Sequence, residues 1–197
     1  SARFLECNYI KRCKRCLPYD NGVKLMKKKG KTIKYSTEVD EKTGLLRIRA
    51  EKDLGSVKKG DLGGLIDCPE NLSQYGESWV YGNAWVYNEA YVFGDAQVFG
   101  AARVCGGARV CGTAQVHGNA QVFGAARVHG NSQVFGDAEV HGNAWIYDDA
   151  WVSGTAQVHG TAQVFGAAQV HGNAQVFGAA RVCGNAWLYG DALAGII

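Results

Sequence analysis

From residue 76 onward, apolar and polar positions follow one six-residue phrase, with no insertion before Ala192. The phrase is a branched aliphatic, a variable residue, Gly, a turn-forming residue, Ala and a second variable residue, as in VHGNAQ at 116–121 and VFGAAR at 122–127. Stepping by six from 76 to 190, every residue is Gly except Asn88 and Asp148, two types that tolerate positive φ. Two positions later stands Ala, replaced by Ser78 and Ser132; two later again, from Val80 to Leu188, stands Val, replaced by Ile146 and Leu188. Self-similarity this strict decides the fold class before any other signal.

An aliphatic and an alanine flanking one outward residue suit a short strand with alternating faces, and the Gly-turn pair supplies a tight corner. Three such edges close a triangular coil of about 18 residues that pairs in parallel with the next coil roughly 4.8 Å away. Valine and alanine then fill a core too narrow for larger side chains. The prediction is an all-β chain: a single-stranded parallel β-helix, a triangular solenoid spanning 76–197. Before it, TIKYSTEV, the turn DEKTG and LLRIRAEKDL read as a β-hairpin, followed by bends at Gly60, Gly63 and Gly64. An open solenoid end exposes core and strand edges, so residues 26–75 are expected to form a cap with the first coil.

The phrase resembles that of the hexapeptide-repeat left-handed β-helix proteins, and the resemblance covers residues 76–192. It implies a left-handed coil, which the period itself does not dictate. A narrower likeness runs from about residue 31 to 197. The stretch RIRAEKDLGSVKKGDLGGLIDCPENLSQYGESWVYGNAWVY is similar to the start of prophage and enterobacterial hexapeptide-repeat proteins, labelled acetyltransferases or polymer-forming proteins. That likeness implies a bacterial or phage origin.

Charge is unevenly placed. Residues 1–36 hold eleven Lys or Arg against Glu6 and Asp20, whereas 37–75 hold six against eight carboxylates and 76–197 four against eight. The basic character, a net +3, thus belongs to the first segment. Residues 1–25 are expected to be a poorly ordered extension upstream of Met26. Cys13 and Cys16 offer a thiolate pair to zinc, but a structural site needs four ligands and no histidine precedes His117. Neither a metal nor nucleic acid is therefore expected, despite the cations around Cys7, Cys13 and Cys16. No run long enough for a membrane span appears. Within the repeats, Cys105 and Cys111 lie on different edges and Cys111 and Cys183 four coils apart, which bars a disulfide between them. Free thiols and no secretory h-region point to the cytoplasm.

Residues 18 apart stack in columns. The site after each aliphatic builds three, starting at Tyr75, Tyr81 and Tyr87, and the other variable site builds ladders such as Gln97, Gln115 and Gln133. Stacking along the axis serves the coil itself. The aromatic load nevertheless exceeds that need. Trp79, Trp85, Tyr87 and Tyr91 crowd the first coils, Trp145, Tyr147 and Trp151 form a second band, and Trp187 and Tyr189 a third. Outward aromatics in such number mark a surface that something covers. A second copy of the chain is the simplest candidate, through these bands and through an uncovered edge after Leu188; a sugar or peptide is the alternative.

The resemblance also implies an enzymatic alternative, since many hexapeptide-repeat proteins are trimeric acyltransferases with a histidine general base and acetyl-CoA as donor. His141 and His159, stacked in adjacent coils near Asp137, Glu139, Asp148 and Asp149, are the candidates. All five histidines share one slot with Phe, Tyr and Cys, and no loop excursion interrupts the repeat to build a pocket. Three threonines in the repeats are too few for a regular ice-binding array. The reading is a non-catalytic, self-associating scaffold without a cofactor.

Overall fold

A computed structural model describes residues 33–195. Every strand but three is two residues long, and one recurs every six residues from β4 (Trp79–Val80) and β5 (Trp85–Val86) through β22 (Trp187–Leu188) to β23 (Leu193–Ala194). Each pairs in parallel with the strand three further on: Gln115 lies beside both Gln97 and Gln133, and Val116 beside Val98 and Val134. The 18-residue register expected from the repeat is therefore the register observed. Three sheets result. The first face carries every third strand from β4 to β22, seven in all; the second carries those from β5 to β23, and the third those from β6 (Tyr91–Val92) to β21 (Arg181–Val182). The chain is a three-faced parallel β-solenoid of about seven coils.

The core lies along the axis. From Val80 to Val176 the aliphatic of every phrase is fully buried, as is the alanine from Ala96 to Ala174. Burying one valine contributes on the order of 1.5–3 kcal/mol, and the alanine opposite leaves room for it. The two serines in the alanine slot are each explained by a hydrogen bond. Ser132 Oγ donates to the His129 carbonyl at 2.8 Å. Ser78 receives the buried ammonium of Lys34, whose Nζ donates to the Ser78 carbonyl at 2.8 Å and to its Oγ at 3.0 Å. Burial lowers the pKa of Lys34 to about 8.

Corners bring the backbones closest. The repeat glycines hold φ near +70°, as at Gly124 (+71°), and the two substitutes follow, with Asn88 at 59° and Asp148 at 58°. A Cβ on Gly124 would stand 2.9 Å from the Gly142 nitrogen. Even the exposed turn residues pair with the next coil: the Asn119 N–H donates to the Gly136 carbonyl at 2.8 Å. Asp148 fits the glycine slot because its carboxylate accepts the Gly166 N–H at 3.2 Å. Side-chain ladders run beside these bonds, Asn119 to Asp137 and Asn131 to Asp149, both at 2.9 Å.

The hairpin lies where the alternation placed it, with β1 (Tyr35–Val39) antiparallel to β2 (Leu46–Ala50). Strand β3 (Leu62–Ile66) is antiparallel to β2 and parallel to β5, so it converts a hairpin sheet into a solenoid face. Gly63 and Gly64 allow this crossing: a Cβ at either would come within 2.5 Å of Ile48 Cγ1 or Val80 Cγ1. Ile48, Leu54, Val57 and Ile66 then close the end of the core over Trp79 and Val80.

Replacing Gly124 or Gly184 by alanine separates the two demands on a corner. Both hold positive φ, but a Cβ at Gly184 meets nothing within 4 Å. Gly184→Ala is expected to cost about 1–2 kcal/mol from the left-handed backbone alone, and Gly124→Ala more, by at least about 1 kcal/mol for the added clash. Urea denaturation of the two variants checks the order.

Candidate interaction surfaces

The residues after each aliphatic form continuous ring stacks along the corners. Phe99, His117 and Phe135 lie 4.5 and 5.0 Å apart, with ring planes within 6° of parallel. Phe123, His141 and His159 follow at 4.7 and 5.0 Å, and His129, Tyr147 and Phe165 at 5.2 and 4.8 Å. Both ring faces of each central member are therefore covered, whichever residue type supplies it. Burial lowers the pKa of His117, His129 and His141, to which the stacked His159 adds at His141.

The candidate acid–base site gains little from this geometry. A general base needs a partner that orients it, and three of the four nearby carboxylates are occupied along the corners, Asp137 by Asn119, Asp149 by Asn131 and Asp148 by the Gly166 amide, while Glu139 lies on a strand of the second face. Among the described residues none of them hydrogen-bonds His141 or His159. A cleft of about 630 Å³ lies elsewhere, between the cap hairpin and Trp85, lined by Glu38, Asp40, Arg47 and Leu65. Its Asp40 and Glu38 are tied to Arg47 and Arg49.

Two of the aromatics expected on the surface are buried. Trp79 retains 1% of its accessibility because the cap folds across the first coil and sets the Tyr35 ring edge-on to it at 6.3 Å. Tyr87 retains 2%, its ring meeting Trp85 edge-on at 6.5 Å. Trp85, Tyr91 and Tyr147 are half-buried. Trp85 lies under the Arg103 guanidinium at 5.4 Å, and Tyr91 stacks on Phe93 at 4.8 Å. The later bands stay open to solvent: Trp145 is 37% exposed, Trp151 43%, and Trp187 and Tyr189 both 64%.

A difference between faces emerges once the second variable site is sorted by coil. The third face stacks Arg109 on Arg127 and carries Arg181, while the second carries Arg103 and Glu139. Outward positions of the first face hold only Gln, Ser, His and aromatic residues. The three ion pairs of the described residues all lie in the cap: Arg47–Asp40, Arg49–Glu38 and Lys58–Asp53. Arg127 and Arg181 instead rest on the rings of Trp145 and Phe165, at 4.8 and 5.0 Å.

Among the described residues no group of three or more His, Cys, Asp or Glu side chains could hold a metal; Cys13 and Cys16 lie outside them. Cys105 is disulfide-bonded, which corrects the expectation of free thiols. That expectation weighed pairs within the repeats alone, and there Cys111 and Cys183 are indeed free. Among the described residues no helix is long and apolar enough to cross a membrane. No family model matches the chain, and no curated protein matches it.

The ring stacks imply a pH dependence. His117, His129 and His141 titrate below their ordinary 6.5 when folded, so the unfolded chain takes up protons first and stability falls as pH drops through and below 6.5. Above about 7 the contribution is fully present. Melting temperature measured from pH 7.5 to 5.5 should decrease, and His141→Phe, which puts at 141 the residue type that Phe123 and Phe177 supply in the same column, should flatten that slope. A melting temperature that rises on acidification contradicts the neutral stack.

Proposed function

We propose that this chain is a non-catalytic scaffold that associates with copies of itself through the faces of its solenoid. The observation that carries the reading is the open aromatic surface of the later coils, with Trp145, Trp151, Trp187 and Tyr189 exposed on an otherwise rigid, regular wall. Large apolar side chains on flat sheets are costly to leave in water, and association removes them from it. The absence of an orienting carboxylate at His141 and His159 supports structure over acyl transfer. The unbroken six-residue phrase supports membership of the hexapeptide-repeat left-handed β-helix proteins of bacterial or phage origin, as a structural member. Since the hairpin already occupies the first coil's end, contact runs through faces more readily than by stacking onto that end.

Light scattering coupled to size exclusion, over a concentration series of the whole chain, tests the proposal. The expected result is a mass that rises above 21.2 kDa with concentration, and a lower mass for the Trp145→Ala/Trp151→Ala variant at equal concentration. A 21.2 kDa species at every concentration would overturn self-association and leave the aromatic bands to a sugar or peptide. A concentration-independent trimer that binds acetyl-CoA, and loses acyl transfer in His141→Ala or His159→Ala, would overturn it in favour of the enzyme.

A further inference from the structure

The three faces are not equally suited to meet a copy of themselves. The third face would press the guanidiniums of Arg109, Arg127 and Arg181 against a copy, and taking a charge out of water without an opposite charge to meet it is destabilising. The first face has no charge at its outward positions from Gln97 to Tyr189. Its glutamines 97, 115, 133 and 169 form no side-chain hydrogen bond within the described residues. Each therefore offers a donor and an acceptor that no side chain of its own chain uses. The repeat sets a second condition: sheets that pack face to face stay in step only if their strand spacing is the same, here roughly 4.8 Å. A second copy of this chain meets both.

The cap decides the orientation. Tyr35 lies over Trp79 on the first coil of this face and buries it, so two copies side by side in the same direction would drive the Tyr35 segment of one into that of the other. Copies running in opposite directions avoid this and overlap from β7 (Gln97–Val98) to β22. A twofold axis parallel to the strands then passes between β13 (Gln133–Val134) and β16 (Trp151–Val152). It sets Gln115 against Gln169 of the copy, Gln133 against Trp151, and Gln97 against Trp187.

The rims provide an independent check on this register. Carboxylates border the face on both sides, and any arrangement that opposed them would be repelled. Under the twofold each edge meets its own kind: Asp95 comes opposite Asn185, and Asp149 opposite Asn131. On the other edge Asp137 meets Thr155 and Asp191 meets Ala101. Every rim carboxylate thus faces an uncharged residue. We infer that the first face, from Gln97 to Tyr189, is an isologous interface between two antiparallel copies of this chain, with Trp151 and Trp187 as its anchors. The inference rests on the self-association proposed above and adds the face, the direction and the register.

Sedimentation velocity on charge-swap variants of the whole chain reads all three. Gln115→Lys buries an unpaired ammonium against Gln169 of the copy and should weaken association roughly tenfold or more. Gln169→Glu should do the same. The double variant Gln115→Lys/Gln169→Glu places opposite charges in contact twice across the axis and should return association to within about threefold of the wild type. The two positions lie three coils apart on one chain, so this rescue cannot come from within a copy. Gln157→Lys, on the second face, should leave association unchanged. If the wild type associates while both single variants associate equally well, the face is wrong and the scaffold reading stands. If the singles weaken association and the double variant does not restore it, the antiparallel register is wrong. A wild type that stays monomeric at every concentration overturns inference and scaffold reading together.

Discussion

The contact that everything else depends on is the close approach of one coil's corner backbone to the next. At Gly130 an added Cβ would lie 2.8 Å from the Asp148 nitrogen, and similar distances recur from corner to corner. That spacing lets the turn amides bond to the coil ahead, so the hydrogen-bonded stack is continuous through corners as well as strands. It also explains why two-residue strands suffice. A lone strand of that length holds no sheet together, but each of these is one segment of a ladder that never stops.

From the corners the rest follows in order. A glycine held at positive φ turns the chain every six residues, the valine and alanine between corners point inward, and the variable positions are left to the surface. Those variable positions are then stacked whether or not function asks for it. A histidine between phenylalanines at 4.5 and 5.0 Å is accounted for by stacking alone. The surface that stacking does not account for is the segregation of charge: arginines on the third face, mixed charge on the second, none on the first.

Most of the fold was legible because the core repeats with the same period as the backbone. Gly, Ala and Val specify corner, lid and filling at every step, and even the exceptions, Asn88 and Asp148, are residues able to hold positive φ. The candidate surface was legible only in part. Trp79 reads as outward in the phrase, yet the cap that buries it is irregular and its path over the first coil has no periodic signal. Cys105 was misread for a related reason, because the repeat phrase carries no signal for its pairing. The serines in the alanine slot gave no hint from sequence that one of them waits for the Lys34 ammonium.

Amide hydrogen exchange, resolved by residue, bears most directly on the stacked-corner scheme. Turn residues such as Asp95, Asn119 and Asn143 are solvent-exposed or nearly so, yet their amides donate to the next coil at 2.8, 2.8 and 2.7 Å. They are predicted to exchange as slowly as the strand amides of Gln97 and Gln121. Corner amides that exchange at unprotected rates while the strands stay protected would mean that the coils touch along their edges only, and would contradict the close corner approach from which the rest is built.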